Sequence, residues 1–298
     1  MQGLLLLNKP CGITSFKAVA EIRRKSGERR IGHTGTLDPM ATGVLPILIG
    51  RATALSSYLL DADKEYRATI LLGTVTDTCD VTGNVISENV VSVSKETFKE
   101  ALEKFTGKIE QTPPMYSAIR QNGVRLYELA RKGIEAEIPK RSITVYSATL
   151  VEIKSDCEYV VDFSVSKGTY IRSLARDIGE YLGCGATLSS LCRTSASGFD
   201  LDDCTLLDNI TPDNITSHLL SEEVAVRHFR EISVTEKQAI RFSNGGALAY
   251  DRLKKADFSD GELLRVKFGS LFLGLGFADN ENKQVNIKCV INQYNQER

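Results

Sequence analysis

Four leucines, Leu4 to Leu7, run without interruption until Asn8, Lys9 and Pro10 break the apolar pattern. A run that short predicts a buried strand and is too brief for a signal peptide or a membrane span. Thr14 or Ser15 then offers an N-cap for a helix with the stripe Phe16, Val19, Ile22, ending near Gly27. A glycine-dense loop over 31–43 precedes an apolar strand at 44–49, and 64–73 alternates Tyr66, Ala68 and Ile70 with charged or small neighbours, as a strand does. Ser94 caps a second helix carrying Phe98, Leu102 and Phe105, closed by Gly107. Residues 143–153 and 159–165 predict neighbouring strands. Thr169 opens a helix over 170–182, with Ile171, Leu174, Ala175, Ile178 and Leu182 on one face.

These elements lack the regular βαβ alternation of a doubly wound fold. They predict an α+β chain whose mixed sheet is largely antiparallel and flanked by helices. The acidic stretch 205–217 reads as a connector. From about 230 the pattern changes to short β-runs at 263–268, 271–277 and 284–291, which predicts a small all-β appendage. The expected division is 1–230 and 231–298, in line with 298 residues being long for one domain.

Composition narrows the function classes. Apolar residues at 42% and charged residues at 25% are ordinary for a globular protein, and no other apolar stretch approaches a membrane span. The seven cysteines are scattered without a Cys-x-x-Cys pair, and the three histidines lack ligand spacing. Reduced thiols in a cytoplasmic protein are expected, with neither a disulfide framework nor a metal centre. The net charge of −1 hides a segregation: residues 1–60 hold eight Lys/Arg against three Asp/Glu, while no Lys or Arg lies between Arg193 and Arg227, where there are seven acids. One basic face able to follow phosphates is compatible with this distribution. A merely solvated face is compatible with it too.

The densest chemistry is Gly32-His33-Thr34-Gly35-Thr36-Leu37-Asp38-Pro39 with Ala41-Thr42-Gly43 behind it. Three glycines and a proline in twelve residues prescribe a special backbone path. The spacing fits neither a P-loop nor a dinucleotide fingerprint, and no Gly-Lys-Ser/Thr follows. Pro39 keeps Asp38 extended at a turn. By itself this loop fits a structural aspartate as well as a functional one.

Four further segments share the chain in a fixed order with this loop: Asn8-Lys9-Pro10-Cys11-Gly12-Ile13-Thr14-Ser15 before it, then Lys64-Glu65-Tyr66-Arg67-Ala68, Pro113-Pro114-Met115-Tyr116-Ser117-Ala118 and Ser166-Lys167-Gly168-Thr169-Tyr170-Ile171-Arg172. Together they closely resemble the TruB family of tRNA pseudouridine synthases, over about residues 3–195. The resemblance implies a pseudouridine synthase fold and a cofactor-free isomerisation of a T-loop uridine, at position 55 of tRNA, after the base is flipped out of its stack. It matches Asp38 to the essential carboxylate, Arg172 to the arginine that pairs with it, and Tyr66 to the tyrosine beneath the uracil. His33 matches the histidine that fills the vacated stack, and Tyr170 and Leu191 match residues lining the uracil pocket. Lys9 and Pro10 are expected to buttress the loop from below. The resemblance leaves open whether the carboxylate attacks the sugar, attacks the base or assists loss of a sugar proton.

Residues 115–141 interleave six Lys/Arg with Tyr116 and Tyr127, a composition suited to closing over RNA, and correspond to the family's RNA-gripping insertion. Arg120, Arg125, Arg131 and Lys132 are the expected contacts; Arg120 stands where the family commonly has lysine, which keeps charge and changes geometry. The region after 230 lies where bacterial members carry a PUA domain, and Asn244-Gly245-Gly246 resembles that module's early glycine turn. The expected partner is the tRNA T-arm, bound by a monomer. The competing reading is a non-catalytic tRNA-binding or tRNA-folding protein, which would have no use for Asp38, Tyr66 and Arg172 together. A nucleotide-dependent enzyme lacks the phosphate-binding lysine.

Overall fold

The computed structural model describes residues 1–117, 138–254 and 257–294, with backbone alone at 120–121 and 124–125. Among these, one mixed sheet of eleven strands forms the body. Its main path runs Thr205–Leu206, Gly3–Lys9, Thr42–Ile49, Ala186–Ala196, Lys64–Leu72, Glu158–Val165, Arg141–Ile153, Gly107–Gln111. Pairing is antiparallel along most of that path and parallel where Ala186–Ala196 meets Thr42–Ile49 and where Thr205–Leu206 meets Gly3–Lys9.

The leucine run explains itself through period-two geometry. Leu5 and Leu7 point into a core shared with the helices Ser15–Ser26, Lys95–Lys104 and Ile171–Tyr181, through Val19, Ile22, Phe98, Leu102, Leu174 and Ile178. Leu4 and Leu6 point into a second core on the other face. Thr42–Ile49 divides in the same way, Leu45, Ile47 and Ile49 to one side and Val44 and Leu48 to the other. A strand covered on both faces has no position left for polar residues, so its sequence is apolar throughout.

The predicted helices form with the predicted caps in two cases: Thr14 Oγ1 accepts from Lys17 N–H at 3.0 Å, and Ser94 Oγ accepts from Thr97 N–H at 3.1 Å. Gly27 closes the first helix at φ 67° in the left-handed region. Several details differ from the pattern reading. Ile31–His33 is a short strand paired with Thr42–Ile49, because its backbone groups face an open sheet edge. Tyr170, not Thr169, holds the N-cap position of Ile171–Tyr181, without a side-chain cap bond. Residues 205–217 are no loose connector: Thr205–Leu206 pairs with the first strand, and Ile210 and Ile215 are buried against the body.

The C-terminal portion is a five-stranded sheet in the order Arg230–Ser233, Leu263–Phe268, Leu271–Asp279, Gln284–Val290, Leu248–Ala249. It is strand-rich as predicted and adds one short helix, Glu236–Ser243, whose Ala239 and Phe242 fill its core. Its capping box, Thr235 with Gln238, is a helix-start signal set among the β-runs. Phe272, Leu275 and Ile291 reach out of this sheet to complete the second core behind Leu4, Leu6, Val44 and Leu48.

Candidate active site

The loop between Ile31–His33 and Thr42–Ile49 is tied down from three directions. Ser15, buried on the first helix, accepts from Leu37 N–H at 2.8 Å and donates back to Leu37 C=O at 3.0 Å. Lys9, fully buried, donates through Nζ to the carbonyls of Pro10 at 2.8 Å and Ile13 at 2.7 Å, and more weakly to Pro39 at 3.4 Å. Burial pushes that ammonium down to about 8. Arg193, 1% exposed, donates to Gly35 C=O and to Val44 C=O, both at 2.8 Å. Two glycines make this approach feasible: a Cβ on Gly35 would sit 3.1 Å from Arg193 Nη1, and one on Gly43 would sit 2.2 Å from Arg193 O. Each of the three clamps satisfies a backbone group that an irregular loop would otherwise leave unpaired.

Asp38 emerges from this clamped turn with its side chain one-third exposed (33%) toward a cavity of about 900 Å³. Arg172 meets it from the opposite wall. Its Nη2 donates to Asp38 Oδ1 at 3.0 Å, while Nε lies 2.9 Å from Oδ2 without hydrogen-bond alignment. The guanidinium is only 4% exposed and also donates to Thr78 C=O at 3.0 Å and Tyr116 C=O at 2.9 Å. A cation in the first turn of a helix is opposed by the helix dipole, so its place is set by partners and not by helix stability.

A second carboxylate supplies part of that compensation. Asp80 Oδ2 lies 3.7 Å from Arg172 Nη1, in a buried turn where its Oδ1 accepts from Thr78 Oγ1 at 2.9 Å and Thr82 N–H at 3.0 Å. The residue before it, Cys79, has φ 60°, a conformation rare for a side-chain-bearing residue and stored here beside the site. Enclosure raises the Asp38 carboxyl above its ordinary value; the Arg172 charge opposes the rise and Asp80 adds to it.

The helix bearing Arg172 is itself positioned by Gln111, whose buried amide donates to Tyr170 C=O at 3.1 Å and accepts from Tyr170 N–H at 2.9 Å. The Tyr170 phenol is raised by burial against the lowering charge of Arg141, whose guanidinium lies 5.7 Å from the ring centroid. His33 is held below its ordinary value by burial and then by the Arg193 charge, and its Nδ1 is buried without a hydrogen-bond partner. It is therefore a neutral ring at neutral pH.

Asp38, Arg172, Tyr66, Tyr170, Leu191 and His33 all line the one cavity. Lys9 and Pro10 lie behind the loop. Arg120 and Arg125 are backbone partners in an antiparallel pair of two-residue strands, and Arg131 and Lys132 fall outside the described residues. Asp80, Arg193, Gln111 and the clamping role of Ser15 were not singled out from the sequence. Asp80 carried a signal, a turn dense in Asp and Thr (Asp77-Thr78-Cys79-Asp80-Val81-Thr82-Gly83); the others read as ordinary strand, edge or cap residues.

The family model for the TruB family pseudouridylate synthase N-terminal domain matches residues 23–171, and that for the tRNA pseudouridylate synthase B C-terminal domain matches residues 172–227. The chain is 41% identical over 283 residues to tRNA pseudouridine synthase B of Clostridium perfringens, covering 94% of this chain and 96% of that protein. The chain belongs to the TruB family. A second member, tRNA pseudouridine synthase B of Clostridium kluyveri, is 42% identical over 293 residues, covering 97% and 99% of the two chains. Among solved structures, a chain of a Cbf5–Nop10–Gar1 complex superposes with a TM-score of 0.73 at 26% identity, covering 97% of this chain and 84% of that chain. An H/ACA ribonucleoprotein bound to a substrate RNA containing 2′-deoxyuridine superposes at 0.72 and 25% identity, with 97% and 84% covered. Within the TruB family frame the loop carrying Asp38 lies in the portion matched by the N-terminal model, and the helix carrying Arg172 begins where that match passes to the C-terminal model.

Proposed function

We propose that this protein isomerises the uridine at position 55 in the T-loop of tRNA to pseudouridine, with Asp38 as the catalytic carboxylate. The observation that carries the reading is the Asp38–Arg172 pair: a carboxylate one-third open to a cavity of about 900 Å³, aimed by a guanidinium that is 4% exposed. The cavity is the size of a small-ligand site and leaves room for an extruded nucleotide. Arg172 favours the ionised carboxylate and fixes its direction at the cavity wall, from which it acts on the sugar or the base. Each of the three attack routes needs that ionised carboxylate.

Tyr66 and Leu191, on adjacent paired strands, supply the apolar walls for a uracil, and Tyr170 a third. A neutral His33 with an unpartnered nitrogen suits insertion into the gap left by the departing base. Lys9 and Pro10 hold the loop without touching the substrate. Arg120, Arg125, Arg131 and Lys132 are assigned to phosphate contacts of the gripping segment. Residues 231–298 are assigned to a PUA-like module that contacts a distant part of the tRNA and adds no chemistry. We infer a cytoplasmic monomer.

The test is to map pseudouridine in a T-arm hairpin after incubation with purified protein and no added cofactor. Wild-type protein should convert one loop uridine. Asp38→Asn, near-isosteric and uncharged, should fold and bind the hairpin while losing turnover. Activity of Asp38→Asn within tenfold of wild type would remove Asp38 from the chemistry, and binding without conversion by the wild type would favour the non-catalytic reading.

A further inference from the structure

The first helix presents one side chain that the chemistry above does not use. Phe16 stands three residues before Val19 and by spacing belongs to the buried stripe. In the structure Ser15, Ala18, Val19 and Ile22 form that stripe, and Phe16 is 72% exposed. Burying Ser15 to clamp Leu37 turns the next residue away from the core. Phe16 instead lines the catalytic cavity, as does the part-exposed Leu60 at the end of the helix Ser56–Leu60. An aromatic ring left in water forgoes the stabilisation that burial would bring, so the fold gains little from having phenylalanine here.

Charge around the ring points to a polyanion. Lys17 follows it and is exposed; Arg23, seven residues on, is exposed on the same helix face; Lys64 lines the same cavity. An exposed aromatic flanked by cations is a platform for an unpaired base whose phosphates meet the cations. Extrusion of one base also uncovers the faces of its neighbours in the strand.

We propose that Phe16 stacks on an unpaired nucleobase next to the uridine on which Asp38 acts, and so helps to select the loop. The inference rests on the RNA-modifying reading above and deepens it. Stacking of this kind persists from ground state to transition state, so its loss raises KM and leaves kcat alone.

The experiment compares Phe16→Ala, Phe16→Tyr and Phe16→Leu on a T-arm hairpin, with folding checked by circular dichroism. Alanine and leucine should raise KM and Kd about five- to a hundredfold, and tyrosine should restore wild-type values. Hairpins bearing one abasic nucleotide at each unpaired position then locate the partner: at one flanking position the losses from Phe16→Ala and from the missing base should fail to add. Phe16→Ala within twofold of wild type overturns the proposal, as does full rescue by leucine or additivity at every position. If the wild type binds the hairpin without converting it, the reaction assigned above fails, and the same comparisons are read in Kd.

Discussion

Ser15 Oγ grips both backbone groups of Leu37, accepting its N–H at 2.8 Å and donating to its C=O at 3.0 Å. The residue that follows Leu37 is Asp38, so a helix cap region is used to set the position of a carboxylate. Ser15→Ala removes both bonds at a buried site and should cost about 1–3 kcal/mol. It should also lower kcat tenfold or more, since misplacement of about 1 Å can cost roughly a hundredfold. Thermal unfolding and single-turnover rates check the two effects; a stability loss with unchanged kcat would mean that the loop holds its course without the clamp.

The Arg172 guanidinium lies between Asp38 and Asp80, 2.9 Å and 3.7 Å from their nearest oxygens. Arg172→Lys should reduce kcat by far more than affinity, because a point charge cannot hold both carboxylates in a planar arrangement. Asp80→Asn keeps the acceptor for Thr82 but loses the charge, and should lower kcat with Kd for the hairpin unchanged. If Arg172→Lys weakens binding while the saturating single-turnover rate is unaltered, Arg172 is a phosphate contact.

The raised Asp38 carboxyl sets a direction for pH dependence. In the proposed reaction its ionised form is the active one, so kcat/KM should fall as pH drops through a value above the ordinary aspartate value. Asp80 contributes to that rise, and its removal also frees Arg172 to pair with Asp38 alone. Asp80→Asn should therefore move the acid limb to lower pH even as it lowers the plateau. A limb that moves upward would contradict the charge arrangement.

Lys9 gives a separate linkage. Its folded value is pushed from 10.5 down to about 8, so between these values the unfolded chain binds the extra proton. Stability from this group therefore rises with pH across that window. Lys9→Met should be less stable at neutral pH, since the Pro10 and Ile13 carbonyls lose buried donors, at about 1–3 kcal/mol each. Urea unfolding should show the wild-type advantage widening from about pH 7.5 to about pH 10; a constant gap would place the titration elsewhere.

Truncation after residue 230 would strip Phe272, Leu275 and Ile291 from a core they share with Leu4, Leu6 and Leu48. The remaining protein should be less stable by several kcal/mol, at about 1.5–3 kcal/mol for each large side chain uncovered. At a temperature where it stays folded, KM for full tRNA should rise with a flatter salt dependence and a similar kcat, and a T-arm hairpin should be affected less. A folded truncate that binds tRNA normally without turning over would end the assignment of all chemistry to the first 230 residues.

Much of this protein is legible in its sequence. Runs such as Leu4 to Leu7 and Val44 to Ile49 specify strands because their apolar residues can be satisfied only by cover on both faces, and the caps at Thr14 and Ser94 are local hydrogen bonds between near neighbours. The glycine-rich loop with Asp38, the strand with Tyr66 and the helix with Arg172 each announced themselves in sequence order, as did the β-rich change after residue 230. What the sequence could not decide is which side chains from distant segments share a buried charge or a backbone group. Asp80 beside Arg172, Arg193 against Gly35, and Gln111 on Tyr170 are pairs separated by 59 to 158 positions in the chain, and no local periodicity encodes them. Phe16 shows the same limit from the other side: its spacing is that of a core residue, and only the need to bury Ser15 against Leu37 turned it outward.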